Sequence, residues 1–202
     1  MQLRLWTCVA AAAATAVIGG AVGCGSSGSS SSSSASGGGS STSAAEATAA
    51  ATGDIPDNQV FLTYHNQAGG YSLKYPEGWT RKVNGSSTTF TDKGNSISAS
   101  VTSGSPPTTA SVSSQLAALK KSDPTLKAGK PQQVKIKGAP VIKVTYTALG
   151  AKDPVTGKRL QIITDRYVYS KGGKVATLDL ATPKGVDNVD AYRMISESFK
   201  WK

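Results

Sequence analysis

Two aspartates, one histidine and a lysine-rich glycine loop are the residues of this sequence whose types could do chemistry. Asp165 and Asp179 fall on two alternating runs, Leu160 to Tyr169 and Val175 to Ala181, joined by Ser170-Lys171-Gly172-Gly173. A three-residue hairpin turn would set the two carboxylates opposite each other on one face, where mutual repulsion raises one pKa and equips the pair for acid/base hydrolysis. A register change of one residue separates them, and neighbouring Arg166, Lys171 and Lys174 favour ordinary ion pairs instead. His65 stands in FLTYHNQAGG, ahead of the first clear strand, so a triad would have to recruit it from the edge of the domain. It reads as a surface histidine. Gly150 to Arg159, GAKDPVTGKR, has the outline of a phosphate loop, but its glycines are seven apart where the motif needs five, and Arg159 stands where Ser or Thr would hold magnesium. It reads as a hairpin loop with turns at Asp153-Pro154 and Thr156-Gly157. No His, Cys or carboxylate grouping has zinc spacing, and no Asp-x-Asp-x-Asp run suggests calcium. The expectation is no catalytic residue, no metal and no cofactor.

The elements that would carry these residues are mostly strands. Tyr71, Leu73 and Tyr75 alternate with Ser72 and Lys74; Pro76-Glu77-Gly78 then makes a turn, and Trp79, Arg81 and Val83 follow. Alternation returns at Thr88 and Phe90, and at Ile97, Ala99 and Val101. After Pro106-Pro107, Val112, Leu116 and Leu119 take helical spacing with Lys120 and Lys121 at the end, which predicts a helix over 109–121. Further strands follow at Val134 and Ile136, where Lys135 and Lys137 share the outer face, and at Ile142, Val144 and Tyr146. A last helix opens at Asp187 and Asp190 and turns Val189, Tyr192, Ile195 and Phe199 to one side. Strands outnumber helices without alternating with them, so the fold class is α+β, an antiparallel sheet with helices packed on its faces. Trp79 is read as a buried core aromatic.

The domain spans 54–202. Both cysteines, Cys8 and Cys24, precede it, so it is no disulfide scaffold. Residues 1–23 form an export signal with an Ala-rich apolar run from Leu5 to Val22. Ala21-Val22-Gly23-Cys24 resembles the bacterial lipobox, in which the cysteine is lipidated on its thiol and becomes the mature N-terminus; that family usually has Leu where this chain has Ala21. The resemblance implies a diacylglyceryl anchor on Cys24, at the extracytoplasmic face of the cell membrane. The apolar run is also long enough to serve as an uncleaved anchor. Residues 24–53 are almost entirely Ser, Gly, Ala and Thr, a disordered tether with a span of about 30 Å.

YSLKYPEGW, read with the closing ISESFKW, resembles the PsbP-like domain, also called the Mog1/PsbP fold. Members begin with an aromatic-rich strand and a Tyr-Pro-x-Gly-Trp turn, matched here by Tyr75, Pro76, Gly78 and Trp79. The resemblance implies an α/β/α sandwich and binding of a protein or assembly, with no shared catalytic residues to carry over.

Charge gives the remaining signal. Arg4 and Glu46 are the only charged residues before Asp54, so the domain carries the whole formal charge of +10. No aromatic interleaving marks a single-strand groove, and nucleic acid is not an expected partner. Anionic lipid, an acidic envelope polymer or an envelope protein is. The expected function is non-catalytic: a lipid-anchored binding or scaffold protein of the cell envelope. Its alternatives are a carrier or sensor of a small apolar or lipid ligand, which needs an open cavity between sheet and helix, and a hydrolase, which needs Asp165 and Asp179 to converge.

Overall fold

A computed structural model of the protein describes residues 53–152 and 157–202. The signal segment, Cys24, the tether except Gly53, and residues 153–156 of the expected hairpin loop lie outside the described residues. The elements are β1 (Phe61–Asn66), β2 (Tyr71–Pro76), β3 (Thr80–Asn84), β4 (Ser87–Asp92), β5 (Asn95–Ser103), α1 (Thr109–Ser122), β6 (Lys127–Ala128), β7 (Gln132–Ile136), β8 (Ala139–Lys152), β9 (Arg159–Lys171), β10 (Lys174–Pro183), α2 (Val189–Ser198) and β11 (Lys200–Trp201). A small sheet has the order β1-β2-β11. A large one runs β3-β4-β5-β10-β9-β8-β6, with β7 also paired to β8. Every pairing is antiparallel.

The large sheet is covered on both faces, and the two-residue period of its strands decides what each face carries. On β10, Ala176, Leu178 and Leu180 join the main core with Phe90, Ile97 and Tyr169. Over β4 and β5 this face is closed by the small sheet: Tyr75 stacks on Phe90 at 4.2 Å, and the Tyr71 hydroxyl donates to the Ala99 carbonyl. Over β9 and β10 it is closed by α2, whose Ile195 is fully buried. The opposite face packs Ile142, Val144 and Val168 against Val112 and Leu116 of α1. That helix is set by a reciprocal cap, in which Ser111 N–H donates to Thr108 Oγ1 and Thr108 N–H to Ser111 Oγ.

The expected α+β sandwich with a helix on each face is therefore present, and α1 lies where the apolar spacing put it. Several details differ. The strands form two sheets, because the turn after Pro76 sends the chain from β2 in the small sheet to β3 in the large one. Trp79 N–H closes this turn on the Pro76 carbonyl, with Gly78 at φ 88 in the third position, a conformation that favours glycine. His65 is on a strand, β1, with its side chain exposed. Leu119 is 38% exposed. Val189 is 71% exposed, since α2 begins there and only Tyr192, Ile195 and the following Phe199 reach the core. Lys135 and Lys137 do not share a strand face: Lys137, at φ 50, sits with Gly138 in the two-residue turn between β7 and β8.

At one end of the sandwich a buried polar network joins distant parts of the chain. Thr182 Oγ1 donates to Asn95 Oδ1 at 2.7 Å, and Asn188 Nδ2 donates to the same oxygen at 3.1 Å. Asn95 Nδ2 donates to the Gly53 carbonyl, and Asn188 Oδ1 accepts from Ile55 N–H.

Trp79 is 9% exposed and packs in the main core, as its sequence context predicts. Trp79→Ala should cost about 3–5 kcal/mol, a large share of the roughly 5–15 kcal/mol that keeps a domain folded, and urea unfolding curves would measure it. A loss near zero would place the indole outside the core.

Candidate functional site

Gly172-Gly173 turns β9 into β10 with both residues at positive φ (57 and 73), the conformation of a two-residue type I′ hairpin that glycine adopts most readily. Lys171 therefore pairs with Lys174, Arg166 with Asp179 and Asp165 with Leu180. Paired residues share a face, so Asp165 and Asp179 lie on opposite faces of the sheet. The turn has two residues and not the three that would oppose them, so the one-residue change of register that separates the aspartates is the one present.

Each aspartate has its own partner. On the α1 face, Arg166 grips Asp179 with two hydrogen bonds of 2.7 and 2.6 Å from Nε and Nη2, beneath the Tyr146 ring. Burial works against the Arg166 charge, but Asp179 outweighs it and holds the guanidinium above its ordinary pKa. On the α2 face, Lys143 Nζ lies 2.9 Å from Asp165 Oδ2 while Thr145 Oγ1 donates to Asp165 Oδ1. Lys143 also stands 5.1 Å from the centre of the Tyr167 ring. Burial lowers its pKa; hydrogen bonding to Asp165 and then Tyr167 more than offsets this, so the ammonium is held above the ordinary lysine value. The ion pairs that the neighbouring cations suggested are present, although Asp165 pairs with Lys143 and neither aspartate pairs with Lys171 or Lys174.

The Lys143–Asp165 pair lies in a cleft of about 440 Å³ between α2 and the large sheet. Ile163, Tyr167 and Leu180 supply sheet residues to it, Val134 and Ile136 come from β7, and Tyr192 from α2. Lys135, Arg193 and Glu197 add polar groups. This is the opening between sheet and helix that carriage of a small ligand requires. Its volume falls within the range of about 300–1,000 Å³ usual for small-molecule sites. Two phenols fix α2 beside it: Tyr169 donates to the Ser196 carbonyl at 2.8 Å and Tyr192 to the Ala181 carbonyl at 2.6 Å. Among the described residues no cluster of His, Cys, Asp or Glu could hold a metal ion, and no helix is long and apolar enough to cross a membrane.

The solution structure of cyanobacterial PsbP from Synechocystis sp. PCC 6803 superposes with a TM-score of 0.55 at 17% identity, covering 74% of this chain and 98% of that one. The Ran-binding protein Mog1p of Saccharomyces cerevisiae superposes at 0.50 with 7% identity, covering 71% and 96%. The chain has a PsbP/Mog1-like fold. LpqN of Mycobacterium tuberculosis, involved in cell envelope biogenesis, matches at 0.44 with 16% identity over 71% and 91%. No family model and no curated protein matches the sequence.

Within this PsbP/Mog1-like domain, the sequence marked Asp165 but not the residues around it. Lys143 and Tyr167 pair in register across β8 and β9, and Tyr192 comes from a helix beyond the next strand. Alternation placed Tyr167 on a strand; only the fold brings it to Tyr192. Cys24 lies outside the described residues.

The two α2-fixing phenols give the domain a pH dependence. Burial pushes both Tyr169 and Tyr192 far above the ordinary phenol value. The neutral form, which alone can donate to a carbonyl, is thus the folded one. Above pH 10 the unfolded chain loses these protons and the folded one keeps them, so stability falls as pH rises, by up to about 1.4 kcal/mol per pH unit for each group. Urea unfolding at pH 9 and pH 11 should show this fall. Tyr169→Phe with Tyr192→Phe should flatten it, and an unchanged slope in the double variant would assign the effect elsewhere.

Proposed function

We propose that the protein is a non-catalytic binding protein of the cell envelope, held outside the cytoplasm by a lipid on Cys24, and that the cleft beside α2 receives a small apolar or amphipathic ligand. The cleft carries this reading. It joins aliphatic and aromatic walls to a few fixed polar groups, the combination that binds small molecules by burial and orients them by hydrogen bonding. The scaffold reading and the carrier reading meet here, since a tethered domain that samples about 30 Å around its anchor can collect a ligand near the membrane or present it to an envelope partner.

Turnover is not part of the proposal. Asp165 has both oxygens engaged by Lys143 and Thr145, and Asp179 is clasped by Arg166 on the other side of the sheet. The carboxylate-dependent hydrolase thus lacks its pair. The net charge of +10 supports an anionic neighbourhood, through long-range attraction to acidic lipid or polymer.

Two measurements test the two parts. Cys24→Ser should release the protein from membranes or stop its processing; continued membrane fractionation, with no lipid mass on wild-type Cys24, would refute the anchor. For the cleft, a chain beginning at Gly25 should bind the apolar dye N-phenyl-1-naphthylamine. Ile163→Trp, which narrows the cleft, should abolish this, while Thr177→Trp on the α1 face should not. Equal binding by both variants would remove the cleft as the ligand site.

A further inference from the structure

A second cavity, of about 400 Å³, lies just past the C-terminal end of α2, beside Phe199, Lys200 and Trp201. Ile136 lines both cavities, but the chemistry differs. Val141, Tyr169 and Phe199 form a buried apolar base, and half-buried Trp201 stands edge-on to Phe199 with ring centres 5.3 Å apart. Lys137, Lys171 and Lys200 also line it, each exposed and none in an ion pair among the described residues. No described carboxylate lines this cavity.

The three lysines come from three places in the chain: the turn between β7 and β8, the end of β9, and β11. Three like charges around one apolar opening repel each other. An anion at the opening would relieve that repulsion, and a hydrocarbon chain would fill the aromatic base. Neither part alone matches the site. A simple anion leaves the apolar surface wet, and an uncharged hydrocarbon leaves the lysines unpaired.

We propose that this C-terminal pocket, formed by Tyr169, Phe199 and Trp201 beneath Lys137, Lys171 and Lys200, binds a single-chain anionic amphiphile such as a fatty carboxylate. The acidic head sits among the lysines and the chain lies on the rings. This site is distinct from the α2 cleft and does not depend on the ligand proposed there.

Photo-crosslinking tests the assignment. The full-length chain, reconstituted in phosphatidylcholine nanodiscs, is irradiated with a diazirine-bearing analogue of laurate below its micelle concentration, and adducts are localised to single residues by fragmentation mass spectrometry. Adducts should fall on Tyr169 and on Phe199 to Trp201. Laurate should compete, and dodecanol, with the same chain and no charge, should not. The triple variant Lys137→Asn, Lys171→Gln, Lys200→Gln changes only exposed side chains and gives Lys137's turn a residue suited to its positive φ. It should lose about tenfold or more of the adduct, as expected when several charge contacts vanish together. The assignment is overturned if dodecanol competes as well as laurate, if inorganic phosphate alone does so, if the triple variant is labelled like the wild type, or if the pocket takes no label. Labelling confined to Ile163 and Tyr167 would also overturn it while leaving the α2 cleft reading intact.

Discussion

Ten residue pairs hold β9 to β10 in the register that the Gly172-Gly173 turn dictates. Because β10 is the middle strand, between β9 and β5, that register assigns side chains to faces across the sheet. A slip of one residue would carry Asp179 into the main core and Leu178 and Leu180 out of it. A buried unpaired carboxylate and two exposed leucines together cost several kcal/mol, comparable to the entire stability of a small domain. The same register gives Asp179 to Arg166 and Asp165 to Lys143, and so leaves the α2 face with a mostly apolar cleft that holds one ion pair.

From that face the aromatic packing extends toward the C-terminus. Tyr167 stacks near Tyr169 at 6.4 Å, Tyr169 on Phe199 at 4.5 Å, and Phe199 meets Trp201 edge-on. Phe199 also stacks on Tyr71, which ties the seam to the small sheet. Rings packed in series leave little rotamer freedom, so the cleft along α2 and the cavity past its C-terminal end share a rigid wall.

Local pattern carried much of this. The helical spacing of Val112 and Leu116 placed α1 within a residue of its observed ends, and the alternation around Gly172-Gly173 gave the right hairpin. Trp79 after a Pro-Glu-Gly turn was legible as core. What failed has one physical source: alternation reports that a strand has two faces, but not which neighbour it meets or at what offset. Hence nothing in the run from Tyr71 to Val83 told that β2 and β3 belong to different sheets, and whether the two aspartates oppose each other turned on whether the hairpin loop has two residues or three. Lys137 looked like a strand residue because its spacing from Lys135 is right; the following Gly138 was the overlooked sign of a turn. The cleft is assembled from β7 to β10 and α2, and no short stretch of sequence encodes it.

The buried amide network has a mechanical meaning. A pull on the chain at Gly53 meets first the side chains of Asn95 and Asn188, which hold the Gly53 carbonyl and the Ile55 amide. Asn188 is also the residue from which α2 starts, and both it and its partner Thr182 line the α2 cleft. A force applied at Gly53 would therefore bear on the root of the helix that walls the cleft. The Gly53 end of the domain and the cleft thus share one joint of buried amides.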